Sequence, residues 1–343
     1  MRKLHLGWAL LCLAAAIGCG PAPDAGYIEE PAVDADVQAL IAGCDDPNRV
    51  FTLEHRIKTS NGAKLHVVEK FTLASVFRHP RRALLMLPAT LVTNVIWNAE
   101  VPSDPDDFNA LDRAAREGFF AFTLDWEGYG ESSIPASGFD VTAERLLVES
   151  GDLVKWIRLH RLLDKVDLRG SSLGSAIAVA LGGTNSTINH DKIGHIVLTA
   201  HVYKEVTPLA AATLFSPESL AFLQSAPNGY IQTVPPVYSI ITAFAEPEAI
   251  AYCDANCPGV YAVGPTLEGF DLPVFDAHAG RAPVLQFWGD NDLITPLSDV
   301  NQFQSEYGGP KQAMTLAGGG HVPHWESVRE EFWESTFDFL DAD

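Results

Sequence analysis

Residues 165–176 read Lys-Val-Asp-Leu-Arg-Gly-Ser-Ser-Leu-Gly-Ser-Ala, and this stretch decides how the rest of the chain is interpreted. It begins as a strand, turns sharply at Ser172 and continues as an apolar helix. Gly170 and Gly174 stand two residues on either side of the serine, because so tight a turn leaves no room for a Cβ. The pattern predicts a serine at a helix N-terminus, where backbone N–H groups can meet a developing negative charge. Taken alone, the motif also fits an ordinary Gly/Ser-rich turn.

Strands and helices alternate on both sides of this motif. A hairpin signal, Ser60-Asn61-Gly62, separates the first two predicted strands. The predicted strands are residues 50–58, 64–72, 82–87, 119–124, 193–199, 284–288 and 313–316. The predicted helices are residues 108–117, 142–163, 299–307 and 327–340. The alternation predicts an α/β fold with a mostly parallel central sheet and helices on both faces.

The N-terminus has the layout of an export signal. Residues 1–18 carry two basic residues and then an apolar run that is too short to span a bilayer, so they are interpreted as a signal peptide. The run ends at Cys19 in a sequence that resembles a bacterial lipobox. We therefore expect lipidation of Cys19, a tether over residues 19–49, and a membrane-anchored lipoprotein of the bacterial cell envelope. An ordinary secretory signal is the alternative.

Composition limits the classes of molecule that the chain is expected to bind. The formal net charge is −21, from 44 acidic and 23 basic residues, which excludes nucleic acid and leaves no polybasic membrane patch. Membrane contact would come through the N-terminal lipid only. Cys253 and Cys257 could form a disulfide that closes a small loop, whereas Cys44 has no obvious partner. Too few ligands surround the cysteine pair for zinc, and we predict neither a metal nor another cofactor.

Four motifs in order resemble those of the α/β-hydrolase superfamily, over most of residues 50–343. Residues 125–132, Asp-Trp-Glu-Gly-Tyr-Gly-Glu-Ser, resemble its Asp-x-x-Gly-x-Gly-x-Ser loop, and residues 170–174 resemble its nucleophile elbow. Residues 289–296 resemble the loop of the triad acid, and residues 318–323 that of the triad histidine. The resemblance implies a serine hydrolase fold and a catalytic triad in the chain order Ser172, Asp292, His321.

The chemistry explains why these residue types are needed together. A free serine hydroxyl is a poor nucleophile, so a histidine must take its proton and later return it to the leaving group. A buried carboxylate holds the imidazole in the correct tautomer. Asp290 competes with Asp292, although the spacing Asp-x-x-x-Pro up to Pro296 favours Asp292, and Glu205 lies near an alternative position for the acid. His324 competes with His321 and is interpreted as a packing or surface residue.

Departures from the family pattern concern the oxyanion hole. The backbone N–H of Leu173 is one expected donor, because it follows the nucleophile directly. The second donor follows the strand ending at residue 87, where the family's His-Gly-x is replaced by Pro-Ala-Thr-Leu. Position favours Thr90, with Ala89 or Leu91 as alternatives. Arg169 lies on a strand expected to be buried, so we expect a carboxylate partner for it.

Residues 201–281 interrupt the alternation. They include a helix start at Ser216-Pro217-Glu218, a second predicted helix at residues 236–245, and many apolar and aromatic side chains. In the family this interval holds the cap over the active site, which divides the hydrolase core into residues 50–200 and 282–343. A plain packing layer would need the same residues.

These observations predict an exported serine hydrolase that cleaves carboxylic esters with small to medium acyl groups. Amide, thioester and peptide cleavage use the same triad. A non-catalytic hydrolase-fold lipoprotein that binds a ligand or partner is the competing class.

Overall fold

The computed structural model describes residues 46, 48–103, 108–184, 186, 188, 190–269, 272 and 275–342. The predicted signal peptide, the lipidation site at Cys19, most of the tether and Cys44 lie outside the described residues. Within the described part, no helix is both long and apolar enough to cross a membrane.

An eight-stranded sheet organises the chain, in the order β1-β2-β4-β3-β5-β6-β9-β10. Its strands are β1 (Phe51–Lys58), β2 (Lys64–Phe71), β3 (Arg82–Leu87), β4 (Phe119–Leu124), β5 (Val166–Ser171), β6 (Ile193–Thr199), β9 (Val284–Gly289) and β10 (Lys311–Leu316). β1 pairs antiparallel with β2, and β2 with β4, while all other neighbours are parallel. The predicted mostly parallel sheet and the hairpin at residues 60–62 are confirmed.

Helices cover both faces of this sheet, as parallel strands require. The helices of the core are α1 (Leu73–Phe77), α2 (Ala110–Arg116), α3 (Ala143–Arg161), α4 (Leu173–Leu181), α9 (Leu297–Glu306) and α10 (Arg329–Asp341). The central strand β4 reads Phe-Phe-Ala-Phe-Thr-Leu and every residue in it is buried. The edge strand β1 instead alternates partly buried and exposed side chains after the buried Phe51, because one of its faces meets water.

Residues 201–281 form a separate set of short elements between β6 and β9. These are helices α5 (Pro208–Ala212), α6 (Pro217–Gln224), α7 (Pro247–Asn256) and α8 (Gly264–Glu268), with the antiparallel pair β7 (Tyr230–Gln232) and β8 (Val260–Ala262). The structure joins Cys253 and Cys257 by a disulfide bond at the end of α7. We call residues 201–281 the insert.

The second helix of the insert differs from the prediction. Residues 236–245 do not form an α-helix; a 3-10 turn over Pro235–Tyr238 replaces its start, and α7 begins only at Pro247. Two tertiary contacts explain the difference. The Tyr238 hydroxyl donates to the carbonyl of Leu91 at 3.0 Å, and the Glu246 N–H donates to the carbonyl of Trp325 at 2.8 Å. The β-branched residues of this stretch also weaken its helix propensity.

Candidate active site

The turn after β5 has the geometry that the glycines predict. Ser172 adopts φ 51° and ψ −115°, a sparsely populated conformation for a residue with a Cβ. A Cβ on Gly170 would lie 2.4 Å from the carbonyl oxygen of Gly174, and a Cβ on Gly174 would lie 2.2 Å from that of Leu87. Both glycines are therefore required by close backbone approach. The serine stands at the junction of strand and helix, with an exposed fraction of 8%.

Backbone hydrogen bonds hold this junction in place. The Ser172 N–H donates to the carbonyl of Thr199 on the neighbouring strand β6 at 3.1 Å, and the Ser175 hydroxyl donates to the same oxygen at 2.9 Å. The N–H of Leu173 lies in the first turn of α4, where a helix has no internal acceptor for it. It is therefore placed to donate to a group next to Ser172.

His321 and Asp292 form a buried pair. Nδ1 of His321 lies 2.9 Å from both carboxylate oxygens of Asp292. Oδ1 of Asp292 also accepts the N–H groups of Ile294 and Thr295, at 2.8 and 3.1 Å. Burial by itself raises the pKa of Asp292, but His321 and these two donors outweigh burial, so the pKa lies below its usual value. The carboxylate is ionised and can stabilise an imidazolium.

The competing acids have other partners. Asp290 is exposed, and its Oδ1 accepts the N–H of Gly318 at 2.7 Å. Glu205 accepts a hydrogen bond from the Ser298 hydroxyl at 3.1 Å. Of the three acids considered in the sequence, the structure brings Asp292 to His321.

His324 lies in the core rather than at the surface. It is buried, Nε2 lies 3.1 Å from the carbonyl oxygen of Ile96, and its ring packs against Trp97 with centroids 4.6 Å apart. Burial and, to a smaller extent, the positive charge of Arg169 hold the pKa of His324 well below its usual value. His324 is therefore a neutral packing residue, one of the two interpretations made from the sequence.

The loop after β3 lies against the start of α4, since Gly174 approaches the carbonyls of Leu87 and Pro88. Thr90 lies in this loop, and its hydroxyl is 2.7 Å from that of Thr266 on α8 of the insert. Leu91 adopts φ 58°. The loop that is predicted from the sequence to supply the second oxyanion N–H is thus next to the turn at Ser172.

Asp125 organises two loops beside the site. Its Oδ1 accepts the backbone and side-chain N–H groups of Asn94 at 2.8 Å, and its Oδ2 accepts the N–H of Glu131 at 3.0 Å. Nδ1 of His66 lies 3.0 Å from Oδ2. Burial by itself raises the pKa of Asp125, but the hydrogen bonds with His66 and Asn94 outweigh burial, so the pKa lies below its usual value. Asp125 therefore orders its own loop and the Asn94 loop.

Glu326 supports the His321 loop and was missed by sequence reasoning. Its carboxylate oxygens accept the N–H groups on either side of the histidine, from Gly320 at 2.5 Å and from Val322 at 3.0 Å. Burial raises its pKa, although the two N–H groups partly offset the effect. The only sequence signal is a carboxyl five residues after His321, which carries no information about burial.

The prediction of a carboxylate partner for Arg169 is wrong within the described residues. The side chain is fully buried and no carboxylate there contacts it. Its guanidinium carbon instead lies 4.1, 4.5 and 4.4 Å from the ring centroids of Trp97, Phe332 and Trp333. Aromatic faces attract a cation through their quadrupole, which offsets part of the burial cost. Burial lowers its pKa well below the usual value.

The site lies at one edge of the sheet. Ser172 follows β5, Asp292 follows β9 and His321 follows β10, and β5, β6, β9 and β10 are parallel neighbours. Their carboxyl ends therefore meet at the same edge, which is where open α/β sheets place ligand sites. A serine in a strained turn, a buried histidine and an ionised carboxylate are thus gathered there from three separate loops.

Comparisons with known proteins identify the family and agree with the fold. Residues 84–334 match the family model of the alpha/beta hydrolase family. An esterase from Exiguobacterium antarcticum is similar, with a TM-score of 0.62 and 16% identity over 84% of this chain and 100% of the other. An alpha/beta hydrolase from Novosphingobium aromaticivorans has a TM-score of 0.58 and 17% identity over 84% and 98%. A thermophilic esterase from Thermogutta terrifontis has a TM-score of 0.56 and 18% identity over 84% and 98%. No curated protein matches the sequence.

Proposed function

Because the chain belongs to the alpha/beta hydrolase family, we propose that it is a serine hydrolase that cleaves carboxylic esters. The proposal assigns Ser172 as the nucleophile, His321 as the general base and Asp292 as the acid that orients the base. One observation carries it: the strained turn at Ser172 and the buried His321–Asp292 pair lie at the same edge of the sheet. Two of the similar structures are esterases, which agrees with an ester as substrate.

The reaction proceeds in two halves. Oγ of Ser172 attacks the ester carbonyl carbon while Nε2 of His321 takes the hydroxyl proton. The tetrahedral intermediate collapses, the C–O bond to the alcohol breaks, and His321 gives its proton to the departing alkoxide. Water then attacks the acyl-serine with His321 again as base, which releases the acid and restores Ser172. Asp292 stabilises the imidazolium that forms in each half.

The oxyanion donors are the N–H of Leu173 and, by position in the loop after β3, the N–H of Thr90. Leu173 is favoured by its place in the first turn of α4. Thr90 is favoured by the close packing of its loop against Gly174. Removing one such donor in other enzymes costs about 10²–10³ in kcat.

The insert supplies apolar surface beside the catalytic loops. Phe244 lies against Gly320, the residue before His321, with 41% of its surface exposed. Tyr238 and Thr266 contact the loop of Thr90. A site walled in this way gains about 0.8 kcal/mol for each CH₂ group buried. We therefore assign neutral esters with short to medium acyl chains as the substrates, since a charged group would be desolvated there without a partner.

A fluorophosphonate probe tests the nucleophile directly. Wild-type protein should be labelled on Ser172, and Ser172→Ala should lose both the label and esterase activity, with kcat lower by about 10⁴–10⁶. Ser171→Ala is the matched control, because it removes the neighbouring hydroxyl and should leave labelling intact. An unlabelled wild-type protein would favour a non-catalytic binding function, and labelling of Ser172→Ala would refute the nucleophile.

A series of p-nitrophenyl esters tests the substrate class. We expect kcat/KM to rise with acyl length until the apolar surface is covered and then to level off. The matching p-nitroanilide should be cleaved more slowly. A flat series, or faster cleavage of the anilide, would contradict the assignment.

A further inference from the structure

Two histidines and a buried glutamate meet on the face of the sheet that α3 covers. His55 lies on β1, Glu69 on β2 and His160 near the end of α3. In the β1–β2 ladder His55 pairs with Val67 and Leu53 with Glu69, so His55 and Glu69 are diagonal neighbours on one face. We call His55, Glu69 and His160 the two-histidine cluster.

The cluster is remote from the proposed catalytic residues. α3 connects the parallel strands β4 and β5 and therefore runs opposite to them. It starts at the edge of the sheet where Ser172 lies, and its 19 residues extend about 28 Å to the other edge. His160 is the second-last residue of the helix. The cluster is thus a separate feature of the fold.

The three side chains converge on one oxygen. Nε2 of His55 lies 2.8 Å from Oε2 of Glu69, and Nε2 of His160 lies 3.2 Å from the same oxygen. All three atoms lie within 4.8 Å of one another. Glu69 is fully buried, whereas 17% of the His55 side chain and 16% of the His160 side chain are exposed, so water reaches the imidazoles.

We propose that the two-histidine cluster binds one divalent transition-metal ion of the Zn²⁺ class. The ligands would be Nε2 of His55, Nε2 of His160 and Oε2 of Glu69, with water completing the shell. Two imidazoles and one carboxylate suit zinc, nickel and copper, whereas calcium and magnesium prefer oxygen ligands. Ligand atoms about 2.1 Å from a tetrahedral ion lie about 3.4 Å apart, which is close to both nitrogen-to-oxygen distances. The two partly exposed imidazoles need to approach each other by at most about 1.4 Å to reach this spacing.

Neighbouring residues hold the ligands in the orientation that a metal needs. The Arg161 side chain donates from Nε to Oε1 of Glu69, which leaves Oε2 facing the histidines. The Arg161 guanidinium is itself held over the rings of Phe71 and Phe120, at 4.7 and 4.4 Å. Trp156 stacks on His160 with ring centroids 4.3 Å apart. Such outer contacts fix ligand orientation in known metal sites.

The charges around the two-histidine cluster are compatible with a bound divalent cation. In the metal-free protein each Nε2 donates its hydrogen to the single oxygen Oε2, and binding of an ion at Nε2 would move that hydrogen to Nδ1 of the same neutral ring. Glu69 supplies one negative charge for both Arg161 and the ion, so the net charge of −21 on the chain supplies the rest of the attraction. The field of such a surface concentrates cations near it. The ion would join β1 and β2 to the end of α3 and so stabilise the fold.

Zinc titration of the chelator-treated full chain tests the proposal. Equilibrium dialysis with metal counting should find one Zn²⁺ per chain, and Zn²⁺ at 100 times its dissociation constant should raise Tm by about 5 °C. His55→Gln and His160→Gln should each weaken binding at least tenfold and abolish the Tm shift, while the glutamine can still donate to Glu69. His195→Gln is the matched control, because His195 also lies beside a carboxylate, that of Asp167 at 3.3 Å, and should bind zinc as wild type does.

A second measurement needs no substitution. Diethyl pyrocarbonate modifies exposed imidazoles, and Zn²⁺ should protect His55 and His160 in wild-type protein, as peptide mass spectrometry would record. His278 lies exposed on another loop and should be modified equally with and without zinc. Absence of saturable binding, unchanged binding in both glutamine variants, or absence of protection would each overturn the proposal. None of these readouts depends on esterase activity.

Discussion

Replacing Asp292 by asparagine should reduce kcat about 10⁴-fold even though the two side chains have nearly the same shape. Oδ1 of Asp292 accepts the N–H groups of Ile294 and Thr295 at 2.8 and 3.1 Å. These donors require an oxygen at that position, so asparagine must present its NH₂ group at the position of Oδ2. That position lies 2.9 Å from Nδ1 of His321, while Oδ1, at the same distance from Nδ1, already accepts two N–H groups.

The consequence is the wrong tautomer of the histidine. A proton on Nδ1 would face the amide N–H, so the imidazole keeps its proton on Nε2 instead. His321 then has no lone pair with which to take the proton of Ser172. A 10⁴-fold loss corresponds to about 5.4 kcal/mol of transition-state stabilisation. Tm should change little, because asparagine keeps both backbone hydrogen bonds.

The assay is kcat and KM on a neutral p-nitrophenyl ester, with Asp290→Asn as the matched control. Asp290 is exposed, and asparagine keeps the oxygen that accepts the Gly318 N–H at 2.7 Å. Its activity should change by less than about threefold. The reasoning is refuted if Asp292→Asn keeps more than a tenth of wild-type kcat, or if Asp290→Asn is the more damaging change.

Three further predictions follow from other features. Glu326→Gln leaves one N–H beside His321 without an acceptor, so kcat should fall about tenfold to a hundredfold with KM nearly unchanged; a rise in KM alone would contradict a positioning role. Burial raises the pKa of Glu149 to about 8, so the folded protein binds this proton more tightly than the unfolded chain and loses stability as the pH rises from about 4.5 to 8. Glu149→Gln should therefore raise Tm at pH 8 and have little effect on Tm at pH 4. Glu144→Gln, at an exposed site on the same helix, is the control and should change Tm equally at the two pH values. Equal Tm shifts of Glu149→Gln at pH 4 and pH 8 would contradict the linkage. The mature chain should begin at a lipidated Cys19, which intact mass of the membrane fraction checks; a soluble form cleaved elsewhere would refute the anchor.

The sequence by itself determined the features that depend on local chain geometry. The strained turn at Ser172 was predictable because its two glycines and its flanking strand and helix are encoded within about a dozen residues. The mostly parallel sheet was predictable because apolar strands such as β4 alternate with helical segments. The spacing of the loop after β9 likewise favoured Asp292 over Asp290, and the structure brings Asp292 to His321.

Only the tertiary structure decided the features that join distant parts of the chain. Arg169 meets three aromatic rings, two of them more than 160 residues away, where burial alone suggested a carboxylate. The insert starts its helix α7 at Pro247, because contacts of Tyr238 and Glu246 with other loops compete with local helix formation. Glu69 and His160 lie 91 residues apart in sequence, yet their side chains are in contact. Local periodicity carries no information about such pairs, since they form only when α3 packs on the sheet.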